Sequence, residues 1–253
     1  MNLIHYIWMD FKNPLNKNPE IPQKYMERIE KCSIVNPGFK IIIWNGYDCR
    51  RLLEEYYPFY LQLYDSFDEN IKRCDMIRYF ILYHYGGFYM DCDRICLKDL
   101  SGLLNKYSNY DILLGRLDNY LINNDFIYSK RKSDFMKFCM KNVKDSTNII
   151  RSLNILSTAG PIFLTYQYWT YKGRDKIMII KKEVNMCTTC SCKADFNDTY
   201  TFADISNSSW HKPTERVFNF IICNFRIILF TILFCILVNY VYKYYKCRAN
   251  CRY

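Results

Sequence analysis

The chain of 253 residues is long enough for one globular domain of about 200 residues and a short additional segment. Half of the residues are hydrophobic and 18% are aromatic, so the sequence has ample material for a buried core. Its net charge of +10 favours phosphate-rich partners, such as an anionic membrane surface or a nucleotide sugar, but no segment has the pattern of a nucleic-acid-binding module, and we expect no nucleic-acid partner.

The thirteen cysteines are an odd number in a chain that is too large to depend on disulfide bonds for stability. Most of them stand singly inside apolar segments, so we expect reduced thiols. Cys187, Cys190 and Cys192 lie close together, but a structural zinc site needs four ligands and no histidine is near, which argues against zinc. A disulfide bond within this loop is an open alternative.

Predicted helices and strands alternate along the first part of the chain. Residues 1–9 lack the charged start and long apolar run of a signal peptide, and residues 4–8 have the alternation of a first strand. A helix is predicted over 21–33, a fully buried strand over 39–44 and a second helix over 47–57. This order predicts an α/β domain with a mostly parallel sheet.

The centre of the chain is a predicted helix, a glycine turn and a short strand. Apolar residues recur at intervals of about three over 71–85, which predicts an amphipathic helix with one buried face. Gly86 and Gly87 allow the backbone conformation that ends a helix, and residues 88–90 supply an aromatic-rich buried strand. This strand ends in Asp91 and Asp93.

Two interpretations fit Asp91 and Asp93. Residues at i and i+2 of a strand point to the same face, so the two carboxylates are expected side by side where the strand ends. A solvated turn is the commoner arrangement for an isolated Asp-x-Asp pair, whereas a site for Mg²⁺ or Mn²⁺ would use the same hard oxygen ligands. The spacing leaves both open. The position favours a ligand site, because ligands of parallel α/β sheets bind beyond the carboxyl ends of the strands.

After the Asp-x-Asp pair the sequence predicts a short helix near 101–105 and strands over 111–115 and 177–180. Asn123, Asn124 and Asp125 lie between the last two of these strands. From the residues alone they fit a polar turn as well as a strand that orients a ligand.

The order of these motifs resembles the glycosyltransferases whose sugar-binding region contains an Asp-x-Asp motif. That family includes the fungal initiating mannosyltransferases, the mannosyltransferases acting on inositol phosphoceramide and, more distantly, the large clostridial glucosylating toxins. The resemblance extends over roughly residues 2–210 and rests on Ile4-His5 with Trp8, Asp75-x-x-Arg78, Tyr85-Gly86-Gly87, Asp91-x-Asp93 and Ser209-Trp210-His211.

The resemblance implies a GT-A-type nucleotide-sugar-binding fold and retaining transfer of a hexose, with mannose favoured. It also implies a strand over 123–128 that leads to a helix over 133–143, and a turn over 157–161 that leads to a helix over 162–171. It implies Mn²⁺ or Mg²⁺ on Asp91, Asp93 and His211, and catalytic roles for Asp91, Asp93, Asp75 and Arg78. The implied donor-binding residues are His5, Ile7, Trp8, Asp75, Arg78, Tyr89, Asn123, Asn124, Ser209 and Trp210. Without the resemblance, His5 fits an ordinary buried histidine.

The expected partners are a nucleotide-sugar donor, either GDP-mannose or a UDP-sugar, a glycan or glycolipid acceptor, and a membrane. Two other functions use the same residues. One is a metal-dependent phosphohydrolase, and the other is a catalytically silent, glycan-binding membrane protein of the same fold.

The carboxyl-terminal segment predicts a membrane anchor. Residues 217–242 are long and apolar enough for a transmembrane helix, although Asn219, Asn224 and Arg226 weaken its first third and a buried core helix is the alternative. We therefore expect a catalytic domain over 1–212, this helix, and a short basic tail over 243–253 in a single-pass protein of ER-like or Golgi-like membranes. Sequons at Asn197 and Asn207 favour a lumenal catalytic domain, whereas the missing signal peptide favours a cytosolic one.

Overall fold

The computed structural model describes residues 2–116, 121–144, 155–181, 183–184 and 197–203, and a few helical residues between 224 and 239. The chain divides into two compact units. The first comprises Met1–Cys187 and Lys193–Asp204, and the second comprises Thr188–Cys192 and Ile205–Tyr253. All elements described below belong to the first unit.

A six-stranded sheet forms the centre of the first unit, in the order β2-β1-β3-β6-β5-β7. Its strands are β1 (Asn2–Ile7), β2 (Phe39–Trp44), β3 (Gly87–Met90), β5 (Ile112–Arg116), β6 (Ile122–Ser129) and β7 (Ile177–Ile180). A separate antiparallel pair joins β4 (Arg94–Cys96) to β8 (Thr201–Ala203). β1 is parallel to β2 and β3, and β5 is parallel to β7, whereas β6 is antiparallel to β3 and β5. The predicted α/β fold with a mostly parallel sheet is confirmed.

Helices cover both faces of this sheet. They are α1 (Gln23–Val35), α2 (Gly46–Tyr56), α3 (Leu61–Ser66), α4 (Asn70–Tyr85), α5 (Ser101–Lys106), α6 (Asp134–Asn142), α7 (Ile155–Thr158) and α8 (Pro161–Thr170). Side-chain caps fix two of the starts: Asn45 accepts a hydrogen bond from the Asp48 amide at the start of α2, and Ser133 does the same for Met136 at the start of α6.

The sheet separates two hydrophobic cores. Ile4 and Tyr6 of β1 pack in one core with residues of α1 and α5, and Ile7 packs in the other with residues of α2, α4 and α6. Because both faces are covered, the central strands are apolar almost throughout, as expected for parallel strands.

Helix α4 is buried more completely than its sequence predicts. Every residue from Asp75 to Leu82 is buried, so the prediction of a single buried face is wrong. The helix contacts β3 and β6 as well as α6 and α7, which leaves little of its surface to water. Asp75 and Arg78 are therefore held inside the protein.

The turn from α4 to β3 depends on its two glycines. Gly86 has φ 70° and Gly87 has φ 98°, a region that side chains strongly disfavour. A Cβ atom on Gly87 would lie 2.5 Å from the carbonyl oxygen of Leu3. Glycine thus lets β3 approach β1 closely enough to pair with it.

A disulfide bond joins Cys32 of α1 to Cys96 of β4, so the expectation of reduced thiols is wrong for these two residues. They are 64 residues apart, and spacing gave no sign of their pairing because contact between α1 and β4 brings them together. Closing a loop of this length removes entropy from the unfolded chain that corresponds to about 4 kcal/mol. The Cys187, Cys190 and Cys192 group lies outside the described residues.

The described residues include no helix that is both long and apolar enough to cross a membrane. Most of the predicted transmembrane segment 217–242 and all of the tail 243–253 lie outside them.

Candidate active site

Asp91 is the first residue beyond β3, and its carboxylate is positioned by the strand that precedes it. The Tyr89 hydroxyl donates to Asp91 Oδ1 at 2.6 Å. The Asp91 amide donates to the carbonyl of Asp125 on β6 at 2.9 Å, and the Arg94 amide donates back to the Asp91 carbonyl at 3.1 Å. Asp93 therefore lies in a tight turn over 91–94 instead of continuing the strand.

Arg78 connects helix α4 to both neighbouring strands. Its guanidinium donates to Asp75 Oδ1 at 2.6 Å and to the Asn124 carbonyl at 2.5 Å, and it lies 3.4 Å from Asp91 Oδ1. The Asn124 side chain donates to the same Asp75 oxygen at 2.9 Å, and the guanidinium carbon is 4.5 Å from the centre of the Tyr89 ring. Five residues predicted from sequence thus form one hydrogen-bonded network.

Burial and the neighbouring charges together shift the pKa values of Asp75 and Arg78. Burial raises the pKa of Asp75 to about 6, with Arg78 opposing and Asp91 adding to the shift. Burial also disfavours the charge on Arg78, but Tyr89, Asp75 and Asp91 outweigh it and raise the Arg78 pKa. Arg78 therefore supplies a fixed positive charge beside two carboxylates.

Asp93 has the properties expected of a cation ligand. Burial, followed by the charges of Asp91 and Asp125, raises its pKa to about 7, although Arg94 and Arg28 oppose the shift. Its Oδ1 atom is buried and has no hydrogen-bond partner among the residues that the structure describes. A divalent cation would satisfy this oxygen and relieve the repulsion between carboxylates, so the residues present fit Mn²⁺ or Mg²⁺.

The protein ligands for such a cation are carboxylates. Within the described part of the chain, no three His, Cys, Asp or Glu side chains converge on a common point where a metal ion fits. Asp91 and Asp93 can therefore supply two ligands, with water or a phosphate completing the shell. The predicted third ligand, His211, lies outside the described residues, as do Ser209 and Trp210.

Sequence reasoning missed the partner of Arg94. Arg94 is completely buried, and its Nη1 donates to Asp125 Oδ2 at 2.8 Å. Asp125 is also buried, and burial raises its pKa. In the described part of the chain its Oδ1 has no hydrogen-bond partner. An arginine directly after an Asp-x-Asp pair was the available signal, but its partner on β6 could not be identified from spacing.

His5 is a buried residue whose two ring nitrogens are both engaged. The Trp44 indole donates to Nδ1 at 3.1 Å, so Nε2 carries the proton and donates to the Gly86 carbonyl at 2.9 Å. Burial lowers the His5 pKa to about 4, which keeps the ring neutral. This is the ordinary buried histidine that the residues alone suggested, and a contact with a donor would require one of these bonds to break.

The other predicted donor-binding residues differ in their exposure. The Ile7 carbonyl accepts a 3.5 Å hydrogen bond from the Cys92 thiol, which brings the end of β1 against the turn at 91–94. Trp8 is half-buried and donates through its indole to the Glu20 carbonyl. Asn123 is half-buried and, like Asn124, lies within β6, so the alternative of a polar turn is wrong.

A cavity of about 190 Å³ lies at the other end of β3, and its walls include Leu3, Phe39, Gly86 and Arg131. None of the predicted catalytic or metal-binding residues that the structure describes lines it. The candidate site is therefore the network around the turn at 91–94 and not this cavity.

Comparison with known proteins shows which families and structures the chain is similar to. Residues 22–113 match the family described as glycosyltransferase sugar-binding region containing DXD motif. Inositol phosphoceramide mannosyltransferase 2 of Schizosaccharomyces pombe is 26% identical over 219 residues, which cover 83% of this chain and 57% of the relative. Mannosyl phosphorylinositol ceramide synthase of Saccharomyces cerevisiae is 28% identical over 209 residues, covering 79% and 51%.

The chain thus spans little more than half the length of these two curated relatives. Among solved structures, one titled PaToxG Glycosyltransferase superposes with a TM-score of 0.50 at 17% identity, covering 67% of this chain and 68% of that one. At this identity the likeness shows the fold alone. Residues 22–113, which include the Asp75, Arg78 and Asp91-x-Asp93 network, are thus similar to the glycosyltransferase family whose sugar-binding region contains the Asp-x-Asp motif.

Proposed function

We propose that the chain is a divalent-metal-dependent, retaining glycosyltransferase that moves a hexose, with mannose favoured, from a nucleotide sugar to a glycan or glycolipid. The observation that carries this proposal is the buried network of Arg78, Asp75, Asn124 and Tyr89, which holds Asp91 at the carboxyl end of β3. A solvated turn would need no buried arginine behind it. A site that neutralises a leaving diphosphate does need such fixed positive charge.

The chemistry of each residue suggests its role in the proposed reaction. Asp91 and Asp93 would hold the cation, which supplies Lewis-acid stabilisation of the departing diphosphate. Arg78 keeps the Asp91 carboxylate in place and adds positive charge near the phosphates. Within the described residues, both hydrogen bonds to Asp75 go to its Oδ1, which leaves Oδ2 for a sugar hydroxyl.

The remaining predicted residues complete this proposal. Ile7, Trp8 and Asn123 would border the donor, and Ser209 and Trp210 would close the site from the far side with His211 as a third metal ligand. His5 would act only through the packing of β1. The residues proposed for catalysis lie within 1–212.

The proposed acceptor is a lipid. The names of the two relatives refer to mannose and to an inositol-containing phosphoceramide. GDP-mannose is therefore the first donor to test against UDP-sugars, and inositol phosphoceramide is the first acceptor. A single-pass anchor over 217–242, with the basic tail 243–253 beyond it, would keep the site at an ER-like or Golgi-like membrane where such an acceptor resides.

The decisive experiment measures donor hydrolysis and transfer by the full chain in lipid nanodiscs, with Mn²⁺ and a panel of nucleotide sugars. We expect turnover of one donor, and a loss of about 100-fold or more in Asp93→Asn. Asp111→Asn is the matched control, because Asp111 is a half-exposed carboxylate that pairs with Lys130 away from the site. Its activity should equal that of the wild type.

Other outcomes identify the alternatives. Release of phosphate from simple esters, without turnover of any donor, would favour a metal-dependent phosphohydrolase. Donor binding without hydrolysis or transfer would favour a catalytically silent glycan-binding protein of the same fold.

A further inference from the structure

Asp125 lies directly across from Asp91 in the antiparallel pairing of β3 and β6. Met90 pairs with Phe126, and the next residue along β3, Asp91, donates its amide hydrogen to the Asp125 carbonyl at 2.9 Å. Residues opposite each other on antiparallel strands are close neighbours. The Asp125 carboxylate therefore lies at the same end of the sheet as the turn that carries Asp93.

Within the described residues, only one side of the Asp125 carboxylate has a hydrogen-bond partner. Oδ2 accepts from Arg94 Nη1 at 2.8 Å, whereas Oδ1 is buried without a hydrogen bond. Arg94 is fixed in turn, because its Nη2 donates to the carbonyls of Val184 at 2.9 Å and Thr201 at 3.2 Å. This anchoring holds the Asp125 carboxylate in one orientation.

A purely structural ion pair explains Oδ2 but not Oδ1. A buried carboxylate oxygen without a partner is costly, and structures normally satisfy such an atom. Asp93 Oδ1 is in the same condition, and Asp93 directly precedes Arg94. Both oxygens thus belong to the region of the turn at 91–94, because Asp93 lies in this turn and Asp125 binds Arg94 at its end. A hydrated divalent cation offers such oxygens both positive charge and hydrogen bonds from its water molecules.

We propose that Asp125 is an additional carboxylate of the cation site, acting through Oδ1 on a cation-bound water and not as a direct ligand. An outer position follows because, in the described part of the chain, no three acidic, histidine or cysteine side chains converge closely enough to ligate one ion together. The inference rests on the proposed function only in requiring a cation at Asp91 and Asp93. Arg94 is then a positioning residue, because its hydrogen bond to Oδ2 orients the Asp125 carboxylate.

Direct titration of the full chain with Mn²⁺, with free Mn²⁺ followed by electron paramagnetic resonance, tests this role without an assay of activity. Loss of an outer-shell partner typically weakens metal binding by 10-fold to 100-fold, so we expect Asp125→Asn to bind Mn²⁺ at least about 10-fold more weakly than the wild type. Asp111→Asn again serves as the control and should bind as the wild type does. Wild-type affinity in Asp125→Asn would overturn the proposal.

Asp125→Asn leaves the buried Arg94 without a counter-charge, which destabilises this variant and can prevent it from folding. The double variant Arg94→Met/Asp125→Asn removes both charges together and avoids this problem. If the pair served only stability, its removal would leave Mn²⁺ affinity unchanged. If Asp125 acts on the cation, affinity falls about 10-fold even though a positive charge near the site has been removed.

Thermal unfolding of each variant accompanies the titration. If neither Asp125→Asn nor the double variant folds, the pair of Arg94 and Asp125 has a structural role, and the assignment of Asp125 to the cation would be withdrawn. A wild-type chain that binds no Mn²⁺ overturns the cation site as well. A wild-type chain that binds Mn²⁺ and turns over a donor, with unchanged affinity in both variants, overturns the role of Asp125 alone.

Discussion

The hydroxyl of Tyr89 donates a hydrogen bond of 2.6 Å to Oδ1 of Asp91, two residues further along the chain. The guanidinium of Arg78 lies 3.4 Å from the same oxygen. Two donors from a strand and a helix thus restrain one carboxylate whose side chain is still 38% exposed. The protein thus fixes the Asp91 carboxylate while leaving part of it accessible to a ligand.

Replacing Tyr89 with phenylalanine tests this restraint. The ring keeps its packing, but Asp91 loses a hydrogen bond to a charged group, which contributes roughly 1.5–3 kcal/mol. We expect kcat/KM to fall by about 10-fold or more, and a higher Mn²⁺ concentration to be needed for the half-maximal rate. The control is Tyr128→Phe, because the Tyr128 ring packs on Phe88 at a centroid distance of 4.9 Å and forms no part of the network. Equal activity of both variants would contradict the restraint.

Arg78→Lys should cost both activity and stability. Lysine cannot form the fork of bonds that Arg78 makes to Asp75, to the Asn124 carbonyl and toward Asp91, and it would leave buried polar atoms unpaired. Removing such a buried partner costs about 3–5 kcal/mol. Urea unfolding measures the stability, and the donor assay should show a loss of at least about 100-fold.

The matched control for Arg78→Lys is Arg50→Lys. Arg50 also makes a two-bond contact with an acid, Asp65, but both side chains are partly exposed. An exposed pair of this kind contributes less than about 1 kcal/mol. If both lysine variants lose the same stability, burial of the Arg78 network is not what makes it important.

Gly87→Ala should destabilise the sheet beside the site. Alanine disfavours φ 98°, and its Cβ atom would meet the Leu3 carbonyl oxygen at 2.5 Å, so β1 and β3 would have to separate. We expect a loss of about 2–4 kcal/mol in the free energy of unfolding. Gly38→Ala is the control, because a Cβ atom there meets nothing within 4 Å. A similar change at both positions would show that close approach of the strands is not the cause.

The neutral, buried state of His5 predicts a pH dependence of stability. Its pKa is about 4 in the folded protein against 6.5 in the unfolded chain, so the unfolded chain binds the proton first as pH falls. Stability from this residue is complete above pH 6.5 and is lost between pH 6.5 and pH 4, by about 3 kcal/mol in total.

Unfolding free energies of the wild type and His5→Gln across this interval measure the effect. The variant should show a shallower decline, whatever its stability at pH 7. His84→Gln provides the comparison, because His84 is only half-buried and its removal should leave most of the wild-type decline. Parallel curves for the wild type and His5→Gln would refute the assignment.

Local patterns predicted the core of the site, and pairing between distant segments supplied the rest. The helix ending at Gly86 and the strand ending at Asp91 were both predictable, because helical and strand periodicities act over a few residues. Asp125 was not, since its place beside Asp91 depends on the antiparallel register of β6. The apolar pattern of α4 predicted only one buried face, because the charged residues Asp75 and Arg78 interrupt this pattern. Both of them are buried in the structure.

The bond between Cys32 and Cys96 links α1 to the strand that directly follows the turn at 91–94. Disulfide bonds form and persist in oxidising compartments and are rare where glutathione and thioredoxin act. The bond is therefore an internal reporter of cellular location. If these two thiols are found oxidised when cells are rapidly denatured and labelled, the site faces a lumen. The redox state of this one pair of cysteines thus distinguishes the lumenal orientation from the cytosolic one.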